Sequence, residues 1–335
     1  MSSGSSLQES TSDNRRLLHF TMKITDRLAV RHFFCDILGM KILRHEEMDF
    51  ACAAQCNGDF VSPWSKTMVG YGNENSVFVF ELNYNYDVEG YEYGNDFSSV
   101  TIRNRQAVGN ARQLLDKKFI ETDNSQSIIV RSPDGHRFIL INDDVSPGGN
   151  PVQCLSLNVS NLKKSVDYYT RLLEMKINEK ESDDNHVKLY YGLTTTNQDS
   201  HVKTKAGFLL DNQCQLELIQ VETPINRGTG YGRKAFSCPI SDVESVEKLI
   251  ENNEHTILVP SMELGDLPDS KVKVVILSDP DEHEICFVGE ENYFKACETD
   301  PDAENKFYKG LENKPDDPNK YVIGEDESTK QHDKQ

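Results

Sequence analysis

The chain has 335 residues, 37% of them apolar and 27% charged, with a formal net charge of −19. That length allows two ordinary domains or one body made of two modules. The charge excludes non-specific nucleic-acid binding, because nothing neutralises a row of phosphates. No apolar run reaches the roughly 18 residues of a membrane helix, so neither a membrane nor a nucleic acid is expected as a partner.

Residues 1–16 are Ser-rich and polar, and read as a disordered leader. They lack the apolar core of a secretory signal, so the cytosol is the expected compartment and the mitochondrion the alternative. The first module is read over 17–145. It opens with an alternating run at 19–24, turns at Asp26, a good N-cap, and continues as a helix with Val30, Phe33, Phe34 and Ile37 at i, i+3, i+4 and i+7. Strand-like runs follow at 66–72 and 77–86, then 98–102, a weaker helix at 107–117, and the pair of runs about the SPDGH turn at 132–136.

A PGGNP break at 147–151 lies in the linker, 146–151, where proline and glycine stop any regular element. The second module, 152–290, repeats the first. Residues 154–177 line up without gaps on 19–42, with Asn161 at the N-cap and Ser165, Tyr168, Tyr169 and Leu172 on the helical stripe. Runs at 188–192, 207–221, 234–238 and 272–288 and a helix at 243–252 complete it, with DPDEH at 279–283 in the place of SPDGH. Residues 291–335 are acidic and read as a largely disordered tail, with partial order to about residue 308 and a protein partner as its expected use. The fold class is α+β: tandem βαβββ modules forming curved mixed sheets around a cleft.

The eight cysteines are scattered, and Cys52 and Cys56 lack the second pair that a zinc knuckle needs. They are read as reduced core thiols. Glu81 and Glu217 each interrupt an apolar strand. On an edge strand such a residue faces water. In a cavity it needs a partner, since an unpaired buried carboxylate costs several kcal/mol. His19 opens the first strand and by itself reads as a satisfied strand-end residue. The GTGYGRK run at 228–234 lacks the phosphate-loop register and is set aside.

The paired units, RLLHF with the DILGMK helix end, FELNYNY, EYGNDF and the SPDGH and DPDEH hairpins together resemble the vicinal-oxygen-chelate superfamily, which includes lactoylglutathione lyase. The resemblance runs from about residue 17 to 289. It implies the vicinal-oxygen-chelate fold and glyoxalase-type metabolism of methylglyoxal and glutathione, with glutathione as co-substrate and zinc, nickel or cobalt as the metal. It also implies a small-molecule ligand and a monomer or homodimer. The metal-ligand places fall on His19, Glu81, Ser99 and Ile139 in the first module and on Cys154, Glu217, Arg233 and Cys286 in the second. Ser99 and Ile139 cannot hold a divalent cation, so no place set is complete and metal binding is expected to be weak or absent.

Ligands in this superfamily come from two modules at once, which joins His19 and Glu81 to Arg233 and Cys286, and Cys154 and Glu217 to Ser99 and Ile139. Glu81 and Glu217 are the candidate bases. His19, Glu81 and Cys286 are the candidate residual metal ligands. Arg233 would repel a dication and is expected to pair with Glu81 and bind an oxyanion or carboxylate-bearing ligand. The alternative is a scaffold that keeps the cleft and binds a metabolite without turnover.

Overall fold

The computed structural model describes residues 11–192, 213–265 and 271–313. Most of the expected leader (1–10) and the end of the tail (314–335) lie outside them. The β-α-β-β-β pattern occurs four times rather than once per half. The first unit has β1 (Arg16–Ile24), α1 (Arg27–Arg31), β2 (Lys41–Met48), β3 (Trp64–Gly70) and β4 (Val79–Asn85). The second has β5 (Phe97–Arg103), α2 (Arg105–Leu114), β6 (Ile120–Asp123), β7 (Ser127–Arg131) and β8 (Arg137–Ile141). The third has β9 (Val152–Val159), α3 (Leu162–Asp167), β10 (Lys176–Ile177), β11 (His186–Tyr190) and β12 (Gln215–Gln220). The fourth has β13 (Arg233–Cys238), α4 (Val243–Asn252), β14 (Ile257–Leu264), β15 (Val272–Ser278) and β16 (Glu284–Gly289). The runs at 98–102 and 234–238 are read in sequence as middle strands of a single unit per half. In the fold each opens a new unit, because the weak helix after it belongs with it.

Asp26 and Asn161 cap their helices as expected, accepting from the amides of Ala29 and Lys164. Both helices loosen into π-helical turns, His32–Ile37 and Tyr168–Leu172. The repeat extends to backbone strain: Gly39 and its counterpart Glu174 both take positive φ, 77° and 61°, where the chain leaves the helix.

The strands form two eight-stranded mixed sheets. Sheet one runs β2-β3-β4-β1-β13-β16-β15-β14 and sheet two runs β6-β7-β8-β5-β9-β12-β11-β10. In each unit the first and last strands are parallel, and units meet through antiparallel first strands, β1 with β13 and β5 with β9. The first and last units therefore share one sheet, and the middle two share the other. A common core holds them: Phe33 and Phe34, in the turn that follows α1, pack tilted or edge-on against Phe80 of β4 and Phe138 of β8, one from each sheet.

Order extends past the expected boundaries at both ends. Residues 11–14 form a 3-10 turn, and β1 begins at Arg16. The buried Arg15 guanidinium donates to Asp242 and to the carbonyl of Leu173, so this polar pair is folded in. The acidic segment after 290 forms α5 (Glu290–Ala296) and α6 (Ala303–Asn313), with Phe307 and Leu311 buried against β2. No helix of the described residues is long and apolar enough to cross a membrane.

Candidate functional site

Sheet register assembles the candidate residues in rows. Along one row Val79, His19, Ala235 and Cys286 are neighbours across β4, β1, β13 and β16; along the next, Glu81, Thr21, Arg233 and Glu284. Thus His19, Glu81, Arg233 and Cys286 share one face of sheet one. They line a cavity of about 550 Å³ whose apolar walls include Trp64, Leu264 and Val274. On β4 the alternation sends Phe80, Leu82 and Tyr84 into the core and Glu81, Asn83 and Asn85 to the cavity side, where all three are buried. The water-facing edge reading of Glu81 therefore does not apply, because β4 is an interior strand.

Glu81 is held on both sides. Its Oε1 accepts from Thr21 Oγ1 at 3.3 Å and from Asn83 Nδ2 at 3.1 Å, while Oε2 lies 3.8 Å from His19 Nε2. His19 is in turn oriented by Glu74, whose Oε1 is 2.6 Å from Nδ1. Glu74 also accepts from Tyr293 of α5 at 2.5 Å and from Arg44 of β2 at 2.8 Å. Burial raises the Glu74 carboxyl, but His19, Arg44 and Tyr293 outweigh it and hold it at about 2. A carboxylate so acidic only accepts, so Nδ1 carries the proton and Nε2 is turned toward Glu81. Sequence reasoning missed Glu74, Arg44 and Tyr293. Glu74 sits in a polar turn with no local signature, and Tyr293 comes from the segment read as a tail.

Arg233 does not pair with Glu81. The register puts Thr21 between them and Glu284 on the other side of the arginine. Its Nε and one terminal nitrogen both reach Glu284 Oε2 at 2.7 Å, and its terminal nitrogens donate to the carbonyls of Ala54 and Gln55 at 2.7 and 2.9 Å. The guanidinium is thus a clamp that fastens the 51–58 loop over the sheet. Asn83 adds a bond to the carbonyl of Cys56 and Asn57 one to Asn85. Within this loop Cys52 and Cys56 are joined in a disulfide, a departure from the expected eight free thiols; the other six are free.

The metal set that the superfamily implies does not fit these residues. His19 Nε2 and Glu81 Oε2 are close enough to share an ion, but they are two donors where four to six are needed. Cys286 would have to ionise, and burial pushes its thiol up to about 12. The neighbouring position carries a guanidinium. Among the described residues no group of three His, Cys, Asp or Glu is arranged for an ion.

Sheet two brings together the other predicted set. Ile139, Thr101 and Cys154 share a row, and Ser99, Ser156, Glu217 and Lys188 the next. There Glu217 is held within its own sheet, one oxygen accepting from Ser156 at 2.5 Å and the other lying 3.1 Å from His186 Nδ1. Cys154 is buried with its thiol pushed up to about 12. Ser99 and Ile139 supply one weak ligand and none, respectively.

Residues 161–296 match the family model of the glyoxalase domain-containing protein 4-like, C-terminal domain. Glyoxalase domain-containing protein 4 of Mus musculus is 40% identical over 294 residues, covering 86% of this chain and 89% of that one. Glyoxalase 1 of Caenorhabditis elegans is 37% identical over 291 residues, covering 87% and 94%. Among solved structures, glyoxalase I from Zea mays superposes with a TM-score of 0.63 at 23% identity over 84% of this chain and 95% of its own, a likeness of fold.

Proposed function

Because the chain belongs to the glyoxalase domain-containing protein 4 family, we propose that the sheet-one cavity binds a small carbonyl metabolite or its glutathione adduct, with Glu81 as the proton-transfer base. The chain is a glyoxalase-like protein of the vicinal-oxygen-chelate superfamily. The observation that carries the proposal is the buried Glu81 carboxylate, 3.8 Å from a tautomer-fixed imidazole and opening on a cavity of about 550 Å³. Lactoylglutathione-lyase chemistry moves a proton between adjacent carbons of a hemithioacetal. It needs a carboxylate at the carbon acid and polar groups at the neighbouring oxygens. Glu81 supplies the first, and the Thr21 hydroxyl beside it is the nearest group able to donate to such an oxygen; His19 Nε2, with the proton on Nδ1, only accepts there.

Glutathione is the expected co-substrate, and a tightly held zinc, nickel or cobalt ion is not part of this reading, since only His19 and Glu81 remain to hold one. Arg233 serves binding through the loop it fastens. The test is S-lactoylglutathione formation from methylglyoxal and glutathione by metal-stripped protein. Turnover that survives chelation and is lost in Glu81→Gln is the expected result. Turnover that appears only with added metal, and is lost equally in His19→Ala and Glu81→Gln, overturns the metal-free reading.

A second reading, binding without turnover, is favoured by Arg233 standing where a third ligand would. Calorimetric binding of glutathione adducts with no product across nickel, zinc, cobalt and manganese would select it.

A further inference from the structure

We propose that Cys52 and Cys56 form a reversible dithiol–disulfide site that exchanges with low-molecular-weight disulfides and sets the wall of the sheet-one cavity. The inference does not depend on what the cavity binds or whether it turns a substrate over. Both cysteines line the cavity, and their sulfurs are bonded to each other across a five-residue loop. Both cysteines are partly exposed, so a small disulfide can reach them. Of the six free cysteines, Cys154, Cys214, Cys238, Cys286 and Cys297 are buried and poorly placed for exchange, and Cys35 is partly exposed but away from the cavity, with burial pushing its thiol up to about 12.

The loop is wired to the site rather than hanging beside it. Between the two cysteines, the carbonyls of Ala54 and Gln55 accept from Arg233, and the carbonyl of Cys56 accepts from Asn83, whose amide also donates to Glu81. Gln55 takes a left-handed φ of 53° to make the turn. Opening the ring between residues 52 and 56 frees a tight, strained turn, and three hydrogen bonds carry that change to Arg233 and Glu81. At the loop's start the carbonyl of Phe50 accepts from Trp64 Nε1 at 3.0 Å, so the chain's single tryptophan reports on the loop.

One cysteine thiolate attacks a sulfur of a disulfide RSSR, forming a mixed disulfide and releasing RS−, which takes up a proton. The second cysteine thiolate then attacks the protein-side sulfur of that mixed disulfide, closes the 52–56 bond and releases the second RSH. The two cysteines lose two electrons and two protons, and RSSR gains both.

Full-length protein reduced with a phosphine, desalted and equilibrated with oxidised glutathione tests the proposal. Alkylation in denaturant followed by peptide mapping should find six free cysteines and a linked 52–56 peptide, against eight free cysteines before oxidation. Trp64 emission should change between the two states, and amide exchange over 51–58 should slow on oxidation. In Cys56→Ser, oxidised glutathione should stop at a mixed disulfide on Cys52, with no 52–56 link in the map. Eight free cysteines after equilibration overturn the proposal. A linked pair with unchanged Trp64 emission and unchanged exchange over 51–58 also overturns it. The mapping uses wild-type protein, so a variant that fails to fold does not decide the matter.

Discussion

Glu74→Gln removes one charge from the most heavily bonded carboxylate of the site and leaves its shape. Glu74 is 1% exposed and takes hydrogen bonds from His19, Tyr293 and Arg44. Folding lowers its carboxyl from 4.5 to about 2. That gap corresponds to about 3 kcal/mol at 1.36 kcal/mol per pH unit. Because the folded value is the lower one, the contribution is fully present above 4.5 and is lost as pH falls toward 2. The variant should therefore unfold about 3 kcal/mol more easily than wild type at pH 7, with a difference still near 3 at pH 5 and about 1 kcal/mol at pH 3. Urea titrations followed by Trp64 emission measure this, and the subtraction cancels the carboxylates that both proteins share. A difference that stays constant from pH 7 to pH 3, or one below about 1 kcal/mol at pH 7, would refute the reasoning.

Tyr293→Phe should cost about 2 kcal/mol in the same assay, the usual worth of a hydrogen bond to a charged group, without changing the helix content seen by circular dichroism. Lys234 is buried with no hydrogen-bond partner for Nζ, its nearest carboxylate is Asp279 at 4.0 Å, and burial lowers it from 10.5 to about 8. Since the folded value is again the lower, Lys234→Met should be the more stable protein at pH 7, by roughly 1–3 kcal/mol, and the advantage should shrink between pH 8 and about 10.5. A methyl group at Gly94 would overlap the carbonyl of Asn226, so Gly94→Ala should lose about 2–3 kcal/mol and melt several degrees lower in calorimetry.

The sequence carried the elements well because their signals are local. Helix caps at Asp26 and Asn161, a doubled apolar stripe and turn residues all act within a few residues of themselves. The joining of His19 and Glu81 with Arg233 and Cys286 was also accessible, through the resemblance. What escaped was set by register between distant strands. Nothing near Arg233 in sequence says that Thr21 separates it from Glu81, or that Glu284 is its neighbour on β16. Glu74 and Tyr293 meet only because α5 packs back on β15 and β16 and points Tyr293 at Glu74, and an acidic stretch with few apolar residues gives no warning of that. Even Phe307 and Leu311, which anchor α6, are too sparse to mark a helix against so charged a background.

The pairing of first with last unit also orders events during synthesis. Sheet two is made of adjacent units, so it can close once residue 220 has left the ribosome, with contacts of modest sequence separation. In sheet one, β1 must wait for β13, and the antiparallel pair between them closes a loop of more than two hundred residues. Until then β1 presents an unpaired hydrogen-bonding edge, and the polar groups of His19 and Glu81 stand without the fourth unit that covers them. Pulse-labelled hydrogen exchange should accordingly find β5 and β9 protected before β1 and β13. The reverse order would rule this sequence of events out. The side of the cavity that the fourth unit supplies is thus expected to close after sheet two has formed.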